Sequence, residues 1–175
     1  MLNSKPNNSR YHQGNFIPKN KNKVIKLNLE GGLYYRSSLE LKAMTWLDNS
    51  EKIVTWGAEC ITVPYQTTHF DNGDIKVKAH SYYPDFYYEI KTDNGLNRKV
   101  VAEVKPMKEY IMVVKLQEKS LEMPNTDKMK GLKNFEYDLK MAQKNRDKWN
   151  TMIKYCDKKG WEFIVLTENT LNGKF

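Results

Sequence analysis

The sequence has few of the residues that form several common kinds of site. Its only two cysteines, Cys60 and Cys156, lie far apart and outside any Cys-x-x-Cys pair, which argues against a disulfide framework and a zinc site. The three histidines, His12, His69 and His80, show neither metal-ligand spacing nor a partner for covalent catalysis. The cysteine usage therefore fits a reducing compartment, and surface positions are expected for the histidines.

Long apolar runs are also absent. No segment approaches the roughly 20 apolar residues that a membrane span requires, and the amino terminus lacks the apolar core of a signal peptide. A soluble protein without a membrane partner is therefore expected.

Acidic residues are outnumbered, with 21 Asp and Glu against 29 Lys and Arg in 175 residues, a formal charge of +8. This balance favours a polyanionic partner, nucleic acid first, although many basic proteins bind no DNA. Residues 1–23 contain no acidic residue and little that is apolar. They predict a flexible basic arm that orders against DNA or a capsid or portal surface, followed by one domain over residues 24–175.

Two segments around a turn predict a β-hairpin. Residues 82–90 are rich in aromatic side chains, residues 99–105 in β-branched ones, and Thr92-Asp93-Asn94-Gly95 lies between them. Asp85 and Glu103 lie nine residues on either side of Asn94. Directly opposed residues on antiparallel strands have Cβ atoms roughly 5 Å apart, so both carboxylates should leave one face of the sheet. The other face is predicted to be core.

Two close carboxylates repel each other, which raises one pKa or attracts a bridging cation. Mg²⁺ commonly takes one or two carboxylates and leaves its other positions to water and a substrate phosphate. Lys105, two residues after Glu103, can orient or deprotonate the attacking water or neutralise charge on the phosphate. A simple cross-strand ion pair between Asp85 and Lys105 is the bland alternative.

The sequence resembles the PD-(D/E)xK motif of restriction-endonuclease-like nucleases, with Pro84-Asp85 followed after a spacer by Glu103-Val104-Lys105. Over roughly residues 16–168 the chain also resembles the head completion nucleases of T-even-like tailed phages. A weaker similarity, by motif order, is to the nuclease subunit that cuts transposon ends. The residues that carry the phage resemblance are 35–40, 56–59, 83–86, 103–106 and 160–168.

The resemblance implies a site and a fold. Glu40, Asp85 and Glu103 would line a metal site with the Val104 carbonyl as a further ligand, and Lys105 would be the catalytic lysine. It also implies DNA contacts by Arg36, Lys144 and Lys148, and an α/β fold with a restriction-endonuclease-like core, a central mixed sheet flanked by helices. Glu40 has a competing role, because Ser37 and Glu40 fit a helix capping box.

Elsewhere the pattern gives a coarser outline. Residues 24–29 predict a short strand, residues 39–47 a helix ending at 48–50, and residues 53–90 two or three strands with a hairpin turn at 71–74. A long helix after Pro124 has an apolar stripe and could be divided into two helices by a break near Asn145, and residues 161–167 predict a closing strand. The stripe comprises Leu132, Phe135, Leu139, Ala142, Arg146, Trp149, Ile153 and Cys156.

The sequence and its resemblance together predict a Mg²⁺- or Mn²⁺-dependent DNA endonuclease. The implied setting is phage head completion and DNA packaging, in the host cytoplasm or the virion, with DNA and portal or head proteins as partners. Two alternatives stay open. One is a non-catalytic DNA- or portal-binding head assembly protein, and the other is a nuclease subunit of the type that cuts transposon ends.

Overall fold

The computed structural model describes residues 12–28, 31–71, 74–119, 122 and 129–173. Eight strands and four α-helices occur in these ranges, with a short 3-10 turn at Lys21–Lys23. In chain order they are β1 (Gly14–Phe16), β2 (Leu33–Tyr35), α1 (Ser38–Asn49), β3 (Ile53–Ala58), β4 (Val63–Asp71), β5 (Asp74–Tyr82), β6 (Phe86–Lys91), β7 (Asn97–Val104), α2 (Met107–Gln117), α3 (Met129–Lys159), β8 (Glu162–Leu166) and α4 (Glu168–Leu171).

The central sheet has four strands in the order β3-β6-β7-β8. β6 pairs antiparallel with β3 and β7, whereas β7 and β8 run parallel, so the sheet is mixed as predicted. A parallel pair needs a long crossover, and α2 and α3 supply it between β7 and β8. The predicted α/β class, a mixed sheet flanked by helices, is confirmed.

Apolar residues cover both faces of the β6–β7 hairpin. On one face Phe86, Tyr88, Val100 and Ala102 form a buried cluster with α1, as the alternation predicted. On the other face Tyr87 and Val101 pack with residues of β4, β5 and α3. Because both faces are covered where Val101 and Ala102 lie, a charged side chain beside them is removed from water, whereas Arg98 and Lys99 at the other end of β7 are exposed.

The long hairpin of β4 and β5 confirms the predicted turn between Asp71 and Asp74, whose middle residues lie outside the described part of the chain. The structure has four strands between residues 53 and 91, where two or three were predicted. The predicted strand over 82–90 is also divided, because Tyr82 ends β5 and β6 begins at Phe86. The proline at position 84 lies in this break and removes a backbone donor.

α3 is one uninterrupted helix of 31 residues, so the predicted break near Asn145 is wrong. Asn145 is instead buried at 4% exposure, and Met152 is fully buried. Ile153, which the apolar stripe placed on the buried face, is 42% exposed. The buried row therefore runs along Ala142, Asn145, Trp149, Met152 and Cys156.

The first part of the domain differs most from the prediction. The predicted strand over 24–29 is reduced, within its described residues, to a single bridge between Val24 and Trp56, whereas β1 and β2 pair as an unpredicted two-stranded sheet. The carboxylate of Asp48, 1% exposed, accepts hydrogen bonds from the backbone N–H groups of Lys19 (2.8 Å) and Asn20 (3.1 Å). Residues 14–23 of the predicted arm thus pack on the domain, and the prediction of flexibility over 1–11 lies outside the described residues.

α1 and β8 confirm the predicted helix and closing strand, and residues 107–117, left open by the sequence, form α2. α2 begins after a proline, and the Glu168 carboxylate accepts a hydrogen bond from the Met107 N–H at 2.8 Å. Among the described helices, none has the length and apolar character needed to cross a membrane.

Candidate active site

Asp85 and Glu103 meet at one end of the β6–β7 hairpin. Phe86 is paired with Ala102, so the preceding residue Asp85 lies opposite Glu103, as the spacing about Asn94 predicted. The Val104 N–H donates to Asp85 Oδ2 at 2.6 Å, and the Glu59 N–H donates to the Asp85 carbonyl at 3.0 Å. These two backbone bonds fix both the side chain and the main chain of Asp85.

Glu103 is a buried carboxylate with a partner on each oxygen. Its residue exposure is 3%, and it lies near the end of β7. The Tyr82 hydroxyl donates to Oε2 at 2.7 Å, and Lys105 Nζ is 2.8 Å from Oε1. Lys105 Nζ also donates to the Val104 carbonyl at 3.1 Å. The structure therefore brings together Asp85, Glu103, Val104 and Lys105, all of which were named from the sequence.

The electrostatics of this cluster reflect its burial. Desolvation, and then the negative charge of Glu103, raise the pKa of Asp85 well above its usual range, despite the opposing effects of Lys105 and the Val104 N–H. Burial lowers the pKa of Lys105, but the charges of Glu103 and Asp85 outweigh it and raise that pKa overall. One amine thus compensates two carboxylates only in part.

Tyr82 and Lys148 complete the cluster from β5 and α3. Lys148 Nζ lies 5.0 Å from the centre of the Tyr82 ring, a cation–π distance. Burial lowers the pKa of Lys148, Glu103 raises it, and the nearby cations Lys105 and Lys144 lower it further. Lys148, a predicted DNA contact, therefore lies within electrostatic range of both carboxylates.

Sequence reasoning did not identify Tyr82 as part of the site. Burial, and then the charge of Glu103, raise its pKa, so the hydroxyl stays a proton donor to that carboxylate. No local pattern marks this role, because Tyr82 lies 21 residues from Glu103 and belongs to a different hairpin.

Glu40 fulfils the capping role that competed with its metal role. The Ser37 hydroxyl accepts from the Glu40 N–H at 3.1 Å and donates to Glu40 Oε1 at 3.2 Å. Glu40 Oε2 accepts from the Arg36 N–H at 2.8 Å, so the carboxylate caps the start of α1 one residue earlier than a standard capping box. Its charge contributes to the raised pKa of Asp85, which places it within electrostatic range of the site.

Arg36 and Lys144, the other predicted DNA contacts, lie on different elements, Arg36 between β2 and α1 and Lys144 in α3. Arg36 forms an ion pair with Glu59 at 2.6 Å, and both side chains are about half exposed. Glu59 has a positive φ of 47°, a conformation that costs a non-glycine residue energy and holds its N–H toward Asp85. Lys144 is exposed on α3, one turn before Lys148.

The fit of this cluster to a divalent metal can be tested from its donors. Within the described residues, no group of three or more His, Cys, Asp or Glu side chains is close enough to hold an ion. The carboxylates of Asp85 and Glu103 and the Val104 carbonyl are the hard oxygen donors that Mg²⁺ and Mn²⁺ prefer. Their incompletely compensated charge, expressed in the raised pKa of Asp85, favours a cation here. The metal site of Asp85, Glu103 and Glu40 stays a prediction.

Comparison with known proteins gives two matches. A family model described as "TnsA-like endonuclease N terminal" matches residues 50–168, a range that contains Asp85, Glu103 and Lys105 and begins after Glu40. The chain is 29% identical over 160 residues to the "Head completion nuclease" of Enterobacteria phage T4, covering 91% of this chain and 93% of that protein. No solved structure matches the chain significantly.

Proposed function

Because the chain belongs to the TnsA-like endonuclease N-terminal family, we propose that it hydrolyses DNA phosphodiester bonds at the site of Asp85, Glu103 and Lys105. The proposed cofactor is Mg²⁺ or Mn²⁺, and the nucleophile is water. The name of the T4 relative supports phage head completion as the setting, with DNA as the substrate and portal or head proteins as further partners.

Asp85 and Glu103 would hold the metal ion, with the Val104 carbonyl as a further donor. A bound divalent ion supplies a polarised phosphoryl oxygen and a water molecule that loses its proton more easily. Glu40 is the proposed third carboxylate. To reach the ion it would release the hydrogen bonds it accepts from Arg36 N–H and Ser37 Oγ, and the site would gain a third anionic ligand, from outside the hairpin.

Lys105 acts as a cation in this proposal. Its raised pKa, which follows from Glu103 and Asp85, keeps the amine protonated at neutral pH. A protonated amine cannot accept the proton of the attacking water, whereas it can orient that water and neutralise charge that develops on the phosphate. Of the roles suggested by the sequence for this lysine, deprotonation of the water is therefore not part of the proposal.

One observation carries the proposal more than any other. Glu103 is 3% exposed and ion-paired with Lys105 at 2.8 Å, while the neighbouring carboxylate of Asp85 has a raised pKa. Burying a second carboxylate beside an already satisfied ion pair destabilises a fold. A chain that only needed a stable sheet would gain by placing an apolar residue at position 85.

Plasmid cleavage tests the proposal. Supercoiled DNA is incubated with Mg²⁺, Mn²⁺ or a chelator, using the wild type, Asp85→Ala and Lys105→Ala. The matched controls are Asp93→Ala in the exposed hairpin turn and Lys99→Ala on β7, the strand that carries Glu103. Each site variant is expected to cut at least about 100-fold more slowly, and the controls at the wild-type rate.

Equal nicking by the wild type and both site variants, or cutting that a chelator leaves unchanged, would contradict the assignment. A wild type that binds DNA without cutting it under any of these conditions would instead support the non-catalytic head assembly protein.

A further inference from the structure

A groove of about 530 Å³ lies between α3 and the β4–β5 hairpin. Three lysines line it, Lys140 and Lys144 on the helix and Lys78 on β5, together with His80. Asp147 is its one acidic side chain among the described residues.

The three lysines of the groove form no ion pair with a carboxylate of the described residues. Among the described residues, none of Lys78, Lys140 and Lys144 forms an ion pair, whereas Lys105 and Lys108 each pair with an acid. Asp147 is neutralised by Arg146, whose Nη2 lies 3.3 Å from Oδ1. The groove therefore keeps an excess of positive charge, which attracts a polyanion.

The groove leads to the candidate active site. Lys140, Lys144 and Lys148 lie at successive turns of α3, about 6 Å apart along the helix axis. Lys148 contacts the Tyr82 ring, and Tyr82 in turn donates to Glu103. Lys140, Lys144 and Lys148 thus form a row of cations that leads from the groove toward Glu103 and Asp85.

The hairpin wall of the groove is held in place by side-chain contacts. His80 Nε2 lies 3.0 Å from the Thr67 hydroxyl across the two strands, and its ring stacks on Tyr65 at 5.1 Å. Tyr65 is 5% exposed and belongs to the cluster that contains Met152 of α3. The spacing between hairpin and helix is therefore fixed by packing.

We propose that this groove binds the sugar–phosphate backbone of the DNA whose phosphodiester bond lies at the candidate active site. Lys78, Lys140 and Lys144 contact phosphates away from the bond that is cut. The groove positions the strand without reading bases, because ammonium groups contact phosphates independently of sequence. The identity of the ligand rests on the proposed function, whereas the groove itself rests on the geometry of α3 and β5.

The test is DNA binding without divalent metal. A fluorescent duplex is titrated in chelator across a range of salt concentrations, and fluorescence anisotropy gives the affinity and its salt slope. The groove variant combines Lys78→Gln, Lys140→Gln and Lys144→Gln. A control with the same change in net charge combines Lys42→Gln, Lys154→Gln and Lys158→Gln at exposed positions of α1 and α3.

The groove variant is expected to bind at least about 10-fold more weakly. The slope of log affinity against log salt concentration should become less steep by about 2–3, since each lost phosphate contact removes about 0.9 from its magnitude. The control should stay within about twofold of the wild type by the same reasoning. A third variant with Arg at positions 78, 140 and 144 keeps the charges and should retain the wild-type slope. Melting temperatures of all variants check that each is folded.

Equal affinity and slope for groove variant and control would overturn the inference, as would a wild type that binds no DNA. Loss of binding in the Arg variant as well would also overturn it, because charge would then not be the cause. Failure of the proposed function looks different: the wild type would bind through the groove in chelator and never cut when Mg²⁺ or Mn²⁺ is added.

Discussion

The two faces of the β6–β7 hairpin use the same strands for different purposes. The face toward α1 carries apolar and aromatic side chains over its buried part, among them Phe86, Tyr88 and Val100, and its one charged residue in the described strands, Arg98, pairs with Glu162 at the exposed end. The face toward α3 begins in the same way with Tyr87 and Val101 and ends in the buried Glu103. Strand pairing is regular on both, so the difference lies entirely in the side chains.

This difference separates stability from chemistry within one hairpin. The α1 face gains from burying apolar surface, roughly 25 cal/mol per Å². The α3 face loses part of that gain, because Glu103 and Asp85 are desolvated and only partly compensated by Lys105. Substitutions on the first face should change stability and spare the site, and substitutions on the second should do the reverse.

The largest expected effect is on the α1 face. Leu47, fully buried in α1, belongs to the cluster that packs on this face. Leu47→Ala should lower the free energy of unfolding by about 2–5 kcal/mol through lost burial and a residual cavity. Thermal denaturation should show a melting temperature lower by roughly 5–15 °C.

Two controls sharpen this result. Lys42→Ala, exposed on the same helix, should change stability by less than about 0.5 kcal/mol. At a temperature where the Leu47→Ala variant is folded, its cleavage rate and metal affinity should match the wild type. Loss of cleavage or of metal affinity in the folded Leu47→Ala variant would show that the two faces are not separable.

A smaller effect is expected from the Tyr82 hydroxyl on the α3 face. Tyr82→Phe removes the donor at 2.7 Å from Glu103 Oε2 and leaves the carboxylate held by Lys105 at Oε1 alone. Groups that orient a ligating side chain are commonly worth about 10–100-fold in metal affinity, so Mn²⁺ binding measured by calorimetry should weaken about 10-fold.

Tyr87→Phe is the matched control, since the Tyr87 hydroxyl donates to Glu89 Oε1 at 2.7 Å on the same face, away from the site. Its Mn²⁺ affinity should equal that of the wild type. Equal affinities for all three proteins would mean that Tyr82 does not position Glu103 for a metal ion.

The smallest expected effect has the opposite sign. The pKa of Asp85 is raised in the folded protein, so its ionised form destabilises the fold at neutral pH. Asp85→Asn removes that charge and keeps an oxygen for the Val104 N–H, and should stabilise the metal-free protein by about 1–2 kcal/mol. The gain should vanish near the unfolded-state pKa of about 4 and grow as pH rises through the raised folded-state value.

Melting temperatures in chelator across this pH range measure the effect, with Asp93→Asn in the exposed turn as the control. Adding Mg²⁺ should stabilise the wild type and leave Asp85→Asn unchanged. A variant that is less stable than the wild type at every pH would place Asp85 with the stabilising residues of the fold.

The hairpin and its acids could be predicted because they depend on local spacing. Alternation and a central Asn94 set the strand register, and the register sets which side chains share a face. Glu40 was ambiguous for the same reason, since a capping box is a local signal that says nothing about what lies beyond the helix start. Both of its interactions, with Ser37 and with the charge of Asp85, occur in the fold.

The parts that escaped prediction depend on long-range packing. β1 and β2 are three residues each, too short for a period to emerge. The face of α3 was partly misassigned because the helix packs on different elements along its length, on α2 near Ala142 and on the β4–β5 hairpin near Met152. A single apolar stripe cannot describe a helix whose buried side turns, so Asn145 is buried and Ile153 is exposed.

The central claim is that Asp85 and Glu103 share a divalent metal ion beside Lys105. A crystal soaked with Mn²⁺ and measured for anomalous scattering tests it directly. The account predicts a peak in contact with oxygens of both carboxylates, on the side of the hairpin that faces α3. No peak at this site, or a peak that contacts neither carboxylate, would contradict it.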